Sequence, residues 1–183
     1  MSVQTSKGQH SRKIIMWTLA VLILAAIGIG GYLYFAHDNN PIPSALRSQL
    51  TFSPFVLPKD TKDYTTTDYK FITAENNVKT LSYSIHTTSN TILVREQSQP
   101  LEFTEIAEYK DRFLNNVAQQ YDTVQTSNGI IYLGRLARQN DKQTGIGIII
   151  ERGLLVFMSP DKELSASQWR NLGDQLEIQK IVN

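Results

Sequence analysis

Glu96 has the most suggestive position of any ionisable residue in the chain. It shares strand parity with Ile92 and Val94, so its carboxylate faces the same side as two apolar side chains. A carboxylate there either lines a pocket or reaches water past the strand end; the reading adopted is the second, because acidic residues are seldom fully buried. The next feature is Gly145-Ile146-Gly147. As a dinucleotide fingerprint it lacks the third glycine and lies in a strand rather than a strand-to-helix turn. Its structural meaning is clearer. Gly145 and Gly147 leave one face of the strand bare, while Ile146, Ile148 and Ile150 fill the other. A bare patch lets something approach the backbone closely, either a covering helix or a ligand such as an acyl chain or extended peptide.

Other chemistry lacks its residues. The chain has no cysteine, which removes disulfides, thiolate metal sites and thiol nucleophiles together. No serine lies in a Gly-x-Ser-x-Gly elbow. His86 stands alone on a serine-rich strand face, without the orienting partner that a general base needs. No two histidines share a helix face, and no Asp-x-Asp-x-Asp-Gly loop or phosphate-binding loop occurs. The expectation is therefore no catalytic residue, no metal and no cofactor. Lys59, Lys62, Lys70, Arg135 and Arg138 are dispersed among acids and read as solvated faces. Such a pattern lacks the basic field of a nucleic-acid binder.

The elements that must position these residues read as strands, helix, strands, helix. Leu50 to Leu57 suggests a short first strand, with Pro54 confining it to an edge. Residues 63–73 are strand-like, Asn76-Asn77 marks a turn, and Leu81, Tyr83 and Ile85 alternate with polar residues. Ser89-Asn90 turns the chain into a strand over 91–97. Connections this short make an antiparallel meander. The period then lengthens. Phe103, Ile106, Tyr109, Phe113 and Val117 form one apolar helix face over 103–117, with Thr104 as its cap. Strands over 121–126, 130–137, 144–151 and 154–158 follow, punctuated by Asn128-Gly129, Asn140-Asp141-Lys142 and Arg152-Gly153. Ser165 and Gln168 form a capping box, stapled by Leu164 and Trp169, for a helix burying Trp169, Leu172 and Leu176. The predicted fold class is α+β: one curved antiparallel sheet with two helices packed on one of its faces. Apolar residues on both faces of 130–133 point to a sheet covered on each side near its middle.

Ahead of this domain, residues 14–36 open at Ile14, close at Ala36 and contain no charge. About 20 apolar residues of helix cross a bilayer. The run exceeds the apolar region of a cleaved signal peptide, and Tyr34 is a poor fit to a small-x-small cleavage site. A retained single-pass anchor is expected. Lys7, Arg12 and Lys13 precede it without an acid; the whole chain carries +1, so the remainder carries about −2. Positive charge stays on the cytoplasmic side. The predicted organisation is a cytoplasmic tail (1–13), a membrane helix (14–36), a proline-containing linker (37–49) and an extracytoplasmic domain (50–183).

The residues Leu50-Thr51-Phe52-Ser53-Pro54 through Leu57-Pro58, the strand from Ile92 to Gln97 followed by Pro100, and Asn128-Gly129 opening a strand carry a resemblance. The exported part resembles a loose group of single-pass bacterial envelope domains. Its topology is also similar to the half-barrels of lipoprotein carriers and of periplasmic regulators of anti-sigma factors. That likeness implies a lipid-like ligand or an envelope protein held on a concave sheet, and assigns no functional residue. The functional expectation is a membrane-anchored, non-enzymatic binding domain in the cell envelope. Two alternatives stay open: an enzyme processing cell wall or exported peptides, and a structural subunit of an envelope or secretion assembly.

Overall fold

A computed structural model describes residues 40–73, 77–136 and 144–180. The tail, the predicted membrane helix, Asn76 and the predicted turn at Asn140-Asp141-Lys142 lie outside the described residues. Among the described residues, no helix is long and apolar enough to cross a membrane.

The compact unit begins at Asn40. Pro43 leads into a single helical turn, α1 (Ser44–Arg47). The four-residue spacing of Ile42, Leu46 and Leu50 turns them to the core, where Ile42 and Leu50 are buried. The strand expected from Leu50 to Leu57 shrinks to β1 (Phe55–Val56). Pro54 has no N–H to give a ladder, and only two residues of this segment find a partner strand.

A seven-stranded antiparallel sheet is built from β2 (Thr65–Thr73), β3 (Lys79–His86), β4 (Thr91–Ser98), β5 (Asp122–Thr126), β6 (Gly129–Leu136), β7 (Thr144–Glu151) and β8 (Leu154–Pro160). Its strand order is β2-β3-β4-β8-β7-β6-β5. Each half is a meander of sequence neighbours, and the β4–β8 pair joins them through Val94 opposite Met158 and Glu96 opposite Val156. The β7–β8 hairpin turns at Arg152 and Gly153, with φ of 53° and 76°. Two left-handed residues match the twist of a two-residue hairpin.

The helix expected over 103–117 is broken. Helix α2 (Glu102–Glu105) ends where Ile106 takes extended backbone, and α3 (Tyr109–Val117) starts afresh. Thr104 is not a cap; its hydroxyl donates to the Leu101 carbonyl. The break lets Phe103 fold back on Phe113, with ring centroids 5.0 Å apart. In one continuous helix these residues would be about 15 Å apart along the axis. The ring packing is available only to the elbow.

Helix α4 (Ala166–Gln175) has the expected capping box, with the Ser165 and Gln168 side chains each bonded to the other's backbone N–H. Past Leu176, β9 (Glu177–Ile178) pairs antiparallel with β1.

The two helical layers lie on opposite faces of the sheet, which corrects the expectation of one shared face. Strand alternation sends Ile146, Ile148, Ile150 and Leu155 to a cluster with Leu114 and Ala118 of the α3 region. Ile131, Leu133, Ile149, Val156 and Met158 go to the other face, with Trp169 and Leu172 of α4 and the 42–57 segment. Near its middle the sheet is therefore apolar on both sides.

Candidate functional site

Glu96 is fully buried, so the expectation that it reaches water is corrected. The strand does not end there in space: β8 pairs alongside as far as Ser98, and β1 crosses above. Adjacent residues of a strand aim their backbone groups to opposite edges, and β1 has β9 on one edge only. Glu96 and Tyr83 complete the other. The Phe55 N–H donates to Glu96 Oε2 at 2.8 Å. Tyr83 Oη lies 2.7 Å from the Phe55 carbonyl oxygen and 2.8 Å from Glu96 Oε1.

A tyrosine hydroxyl has one hydrogen, and a backbone carbonyl can only accept. The Tyr83 O–H therefore donates to Phe55, and the short contact to Oε1 is satisfied when Glu96 carries the proton and donates to Tyr83. With a neutral carboxyl the ring closes with every group paired. Burial acts in the same direction, raising the Glu96 pKa to about 8 against the lowering pull of its two hydrogen-bond partners. Tyr83, buried beside it, is pushed well above its ordinary range, first by burial and then by Glu96. Tyr69 stacks on Tyr83 with centroids 5.0 Å apart. Tyr83 stands opposite Val94, so Glu96 is its diagonal neighbour on the same face. That diagonal was the readable signal for a partner.

Gly145 and Gly147 share the face on which α4 lies. A Cβ on Gly147 would meet Trp169 Cζ3 at 2.7 Å and Ile131 Cγ2 at 3.0 Å. The indole fills the bare patch, so the close approach is made by the covering helix. Gly145 has only Glu163 Cγ, at 3.9 Å, near its Cβ direction. Glu96, on β4, is not brought together with either glycine.

His86 has its Nε2 2.8 Å from Thr67 Oγ1 and its Nδ1 3.2 Å from Thr91 Oγ1. The Thr67 hydroxyl also donates to Asp68 at 2.8 Å. This is an exposed cross-strand network on the polar half of the sheet, beside the bulge that β2 makes between Thr67 and Lys70. Asp68 sits there at a φ of 58°. The bulge and its charged neighbours blunt the β2 edge against further strand pairing.

Two depressions among the described residues lie beside these elements. A cleft of about 210 Å³ lies between Asp63, Tyr64, the β3–β4 turn and α4. It is smaller than the usual ligand pocket, and much of its polar lining is already engaged. Asn171 bonds Tyr64 and Gln175, Gln168 serves the capping box, and Thr87 holds its own turn. The second is a groove of about 370 Å³ along the elbow, lined by Ile106, Tyr109, Arg112, Phe113 and Asn116. Among the described residues the large apolar side chains most open to water are Leu101 (70%), Tyr121 (50%), Ile106 (42%) and Ile72 (39%). Three of these four belong to the α2–α3 unit or the chain leaving it. Periodicity missed this groove, because a continuous helix would have turned Ile106 inward.

No family model matches the chain, and neither a characterised protein nor a solved structure shows significant similarity to it.

Proposed function

We propose that the chain is a single-pass membrane protein whose extracytoplasmic domain holds an envelope protein partner in the apolar groove of the α2–α3 elbow. The observation that carries this reading is the exposure of Ile106 in a groove shared with the rings of Tyr109 and Phe113. A core-building helix would have hidden Ile106; the break presents it to solvent instead. Exposed apolar side chains gathered in one place mark interaction surfaces. A protein partner is favoured over a lipid-like ligand on the sheet, because Trp169 already occupies Gly147 and the other face of β3 and β4 carries Thr80, Ser82, Ser84 and Thr91. The anchor rests on the uncharged run 14–36 and on Lys7, Arg12 and Lys13 preceding it.

A photo-crosslinking residue at Asn116, on the groove wall, tests the reading in intact cells with the full chain. A discrete protein adduct is expected, lost when Ile106→Asp is added. The same probe at exposed Arg152 should not give that adduct. The Asp variant should fold with stability within about 0.5 kcal/mol of the parent, since the altered side chain is already exposed. An Asn116 probe that gives no adduct, or one indifferent to Ile106→Asp, would overturn the proposal.

A further inference from the structure

The segment 42–57 crosses the α4 face as a strap, burying Ile42, Leu50, Phe52, Phe55, Val56 and Leu57. Its regular pairing to the rest of the domain is slight: two residues of β1 against β9, plus the Gln179 N–H donated to the Pro54 carbonyl at 2.9 Å. The opposite edge of Phe55 is held by side chains alone, Glu96 through the N–H and Tyr83 through the carbonyl. We infer that Glu96 and Tyr83 form a proton-operated latch, whose ionisation loosens the strap that joins the predicted anchor to the sheet.

The hydrogen inventory supplies the mechanism. With the proton present, three hydrogen bonds close the ring. Without it, the one Tyr83 hydrogen faces two acceptors, Phe55 O and Glu96 Oε1, and one short contact becomes oxygen against oxygen. The groups facing the carboxyl are the Phe55 backbone from β1, Tyr83 from β3 and the nearby Tyr69 from β2. None of these is a cation that could hold a carboxylate in place. A buried anion gains most by opening to water.

Ionisation alone does not eject the strap, because six apolar side chains still hold it. It changes how often the strap opens. An open state with Glu96 in water has an ordinary carboxyl, so between about pH 5 and 8 each pH unit raises the open fraction by up to about tenfold. Where the membrane anchor proposed above is correct, an open strap of 16 residues lengthens the tether by up to about 50 Å.

Hydrogen–deuterium exchange on the full chain in detergent, corrected for intrinsic rates, reads the latch whether or not a membrane is its native setting. Between pH 6 and 8 the protection of peptides spanning 50–58 and 176–180 should fall roughly fiftyfold and stay well below that of β6 and β7, which exchange only when the whole domain unfolds. Glu96→Gln, whose amide can donate to Tyr83 and accept from Phe55, should make strap protection independent of pH. If that variant fails to fold, Tyr83→Phe should lower strap protection at pH 6, with the strap still exchanging well before β7. Strap protection that is flat with pH in the parent chain, or no lower than that of β6 and β7 at pH 8, would overturn the latch.

Discussion

Glu96 occupies the core because β1 leaves a backbone donor and acceptor that no strand can reach, and an unpaired buried backbone group costs about as much as a lost hydrogen bond. A carboxylic acid with a tyrosine hydroxyl reproduces the acceptor and donor of a missing neighbour. The cost appears on titration. The folded carboxyl titrates near 8, against an ordinary value of 4.5. Between those values the folded chain binds a proton that the unfolded chain has lost. Its contribution to stability is complete below about pH 4.5, decays as pH rises, and is gone above about pH 8. The decline is at most about 1.4 kcal/mol per pH unit, roughly 3–4 kcal/mol between pH 5 and 8. Urea unfolding at pH 5, 6.5 and 8 should show this loss in the parent chain and little of it in Glu96→Gln, which should be the more stable protein at pH 8. Equal pH slopes in the two proteins would show that the carboxyl ionises without consequence. Strand parity correctly placed Glu96 on the side of Ile92 and Val94. It could not show that β1 and β8 would seal that side, since both contacts come from distant parts of the chain.

At the scale of elements, local signals that agree with tertiary packing were readable, and those overridden by it were not. The capping box at Ser165 needs only its own four residues and forms as read. The alternation of Leu81, Tyr83 and Ile85 needs only one buried face, and all three are buried. The helix over 103–117 has a correct period but no local mark of its break, because the reward for breaking is the packing of Phe103 on Phe113. Asn128-Gly129 was legible as a turn, yet the positive φ falls on Gly129, at 121°, and not on Asn128. The asparagine has a tertiary task. Its Nδ2 donates to the carbonyls of Gly173 and Leu176, at 2.9 and 2.6 Å, which are orphan acceptors at the end of α4. Ser127 N–H donates to Asp174 beside it, so the β5–β6 turn serves as the C-terminal cap of α4. Asn128→Ala should cost about 1–3 kcal/mol, read as a lower urea midpoint with unchanged slope, because it leaves two helix carbonyls unpaired. A loss below about 0.5 kcal/mol would mean that water replaces the amide freely.

Across the whole molecule, five of the six ladders in the large sheet join sequence neighbours, and only β4–β8 spans the two meanders. The α2–α3 elbow makes the connection between β4 and β5, so the proposed binding groove is also the hinge-point of the chain path. The reading of an envelope domain depends on the segment before Asn40, and its test is one of topology. Lys7, Arg12 and Lys13 precede the uncharged run, while His37 and Asp38 follow it. Retained positive charge on the cytoplasmic side would send everything after Ala36 outward. In a bacterial host, alkaline phosphatase fused after Asn183 should be active and a fluorescent protein fused there should be dark. The membrane-bound species should keep its full mass, which separates a retained anchor from a cleaved signal. Reversing Arg12 and Lys13 to Glu, with Arg placed at His37 and Asp38, should invert the pattern in a measurable fraction of molecules. A bright fluorescent fusion with a silent phosphatase in the parent chain would put the domain inside, and the partner sought at Ile106 would then be a cytoplasmic one.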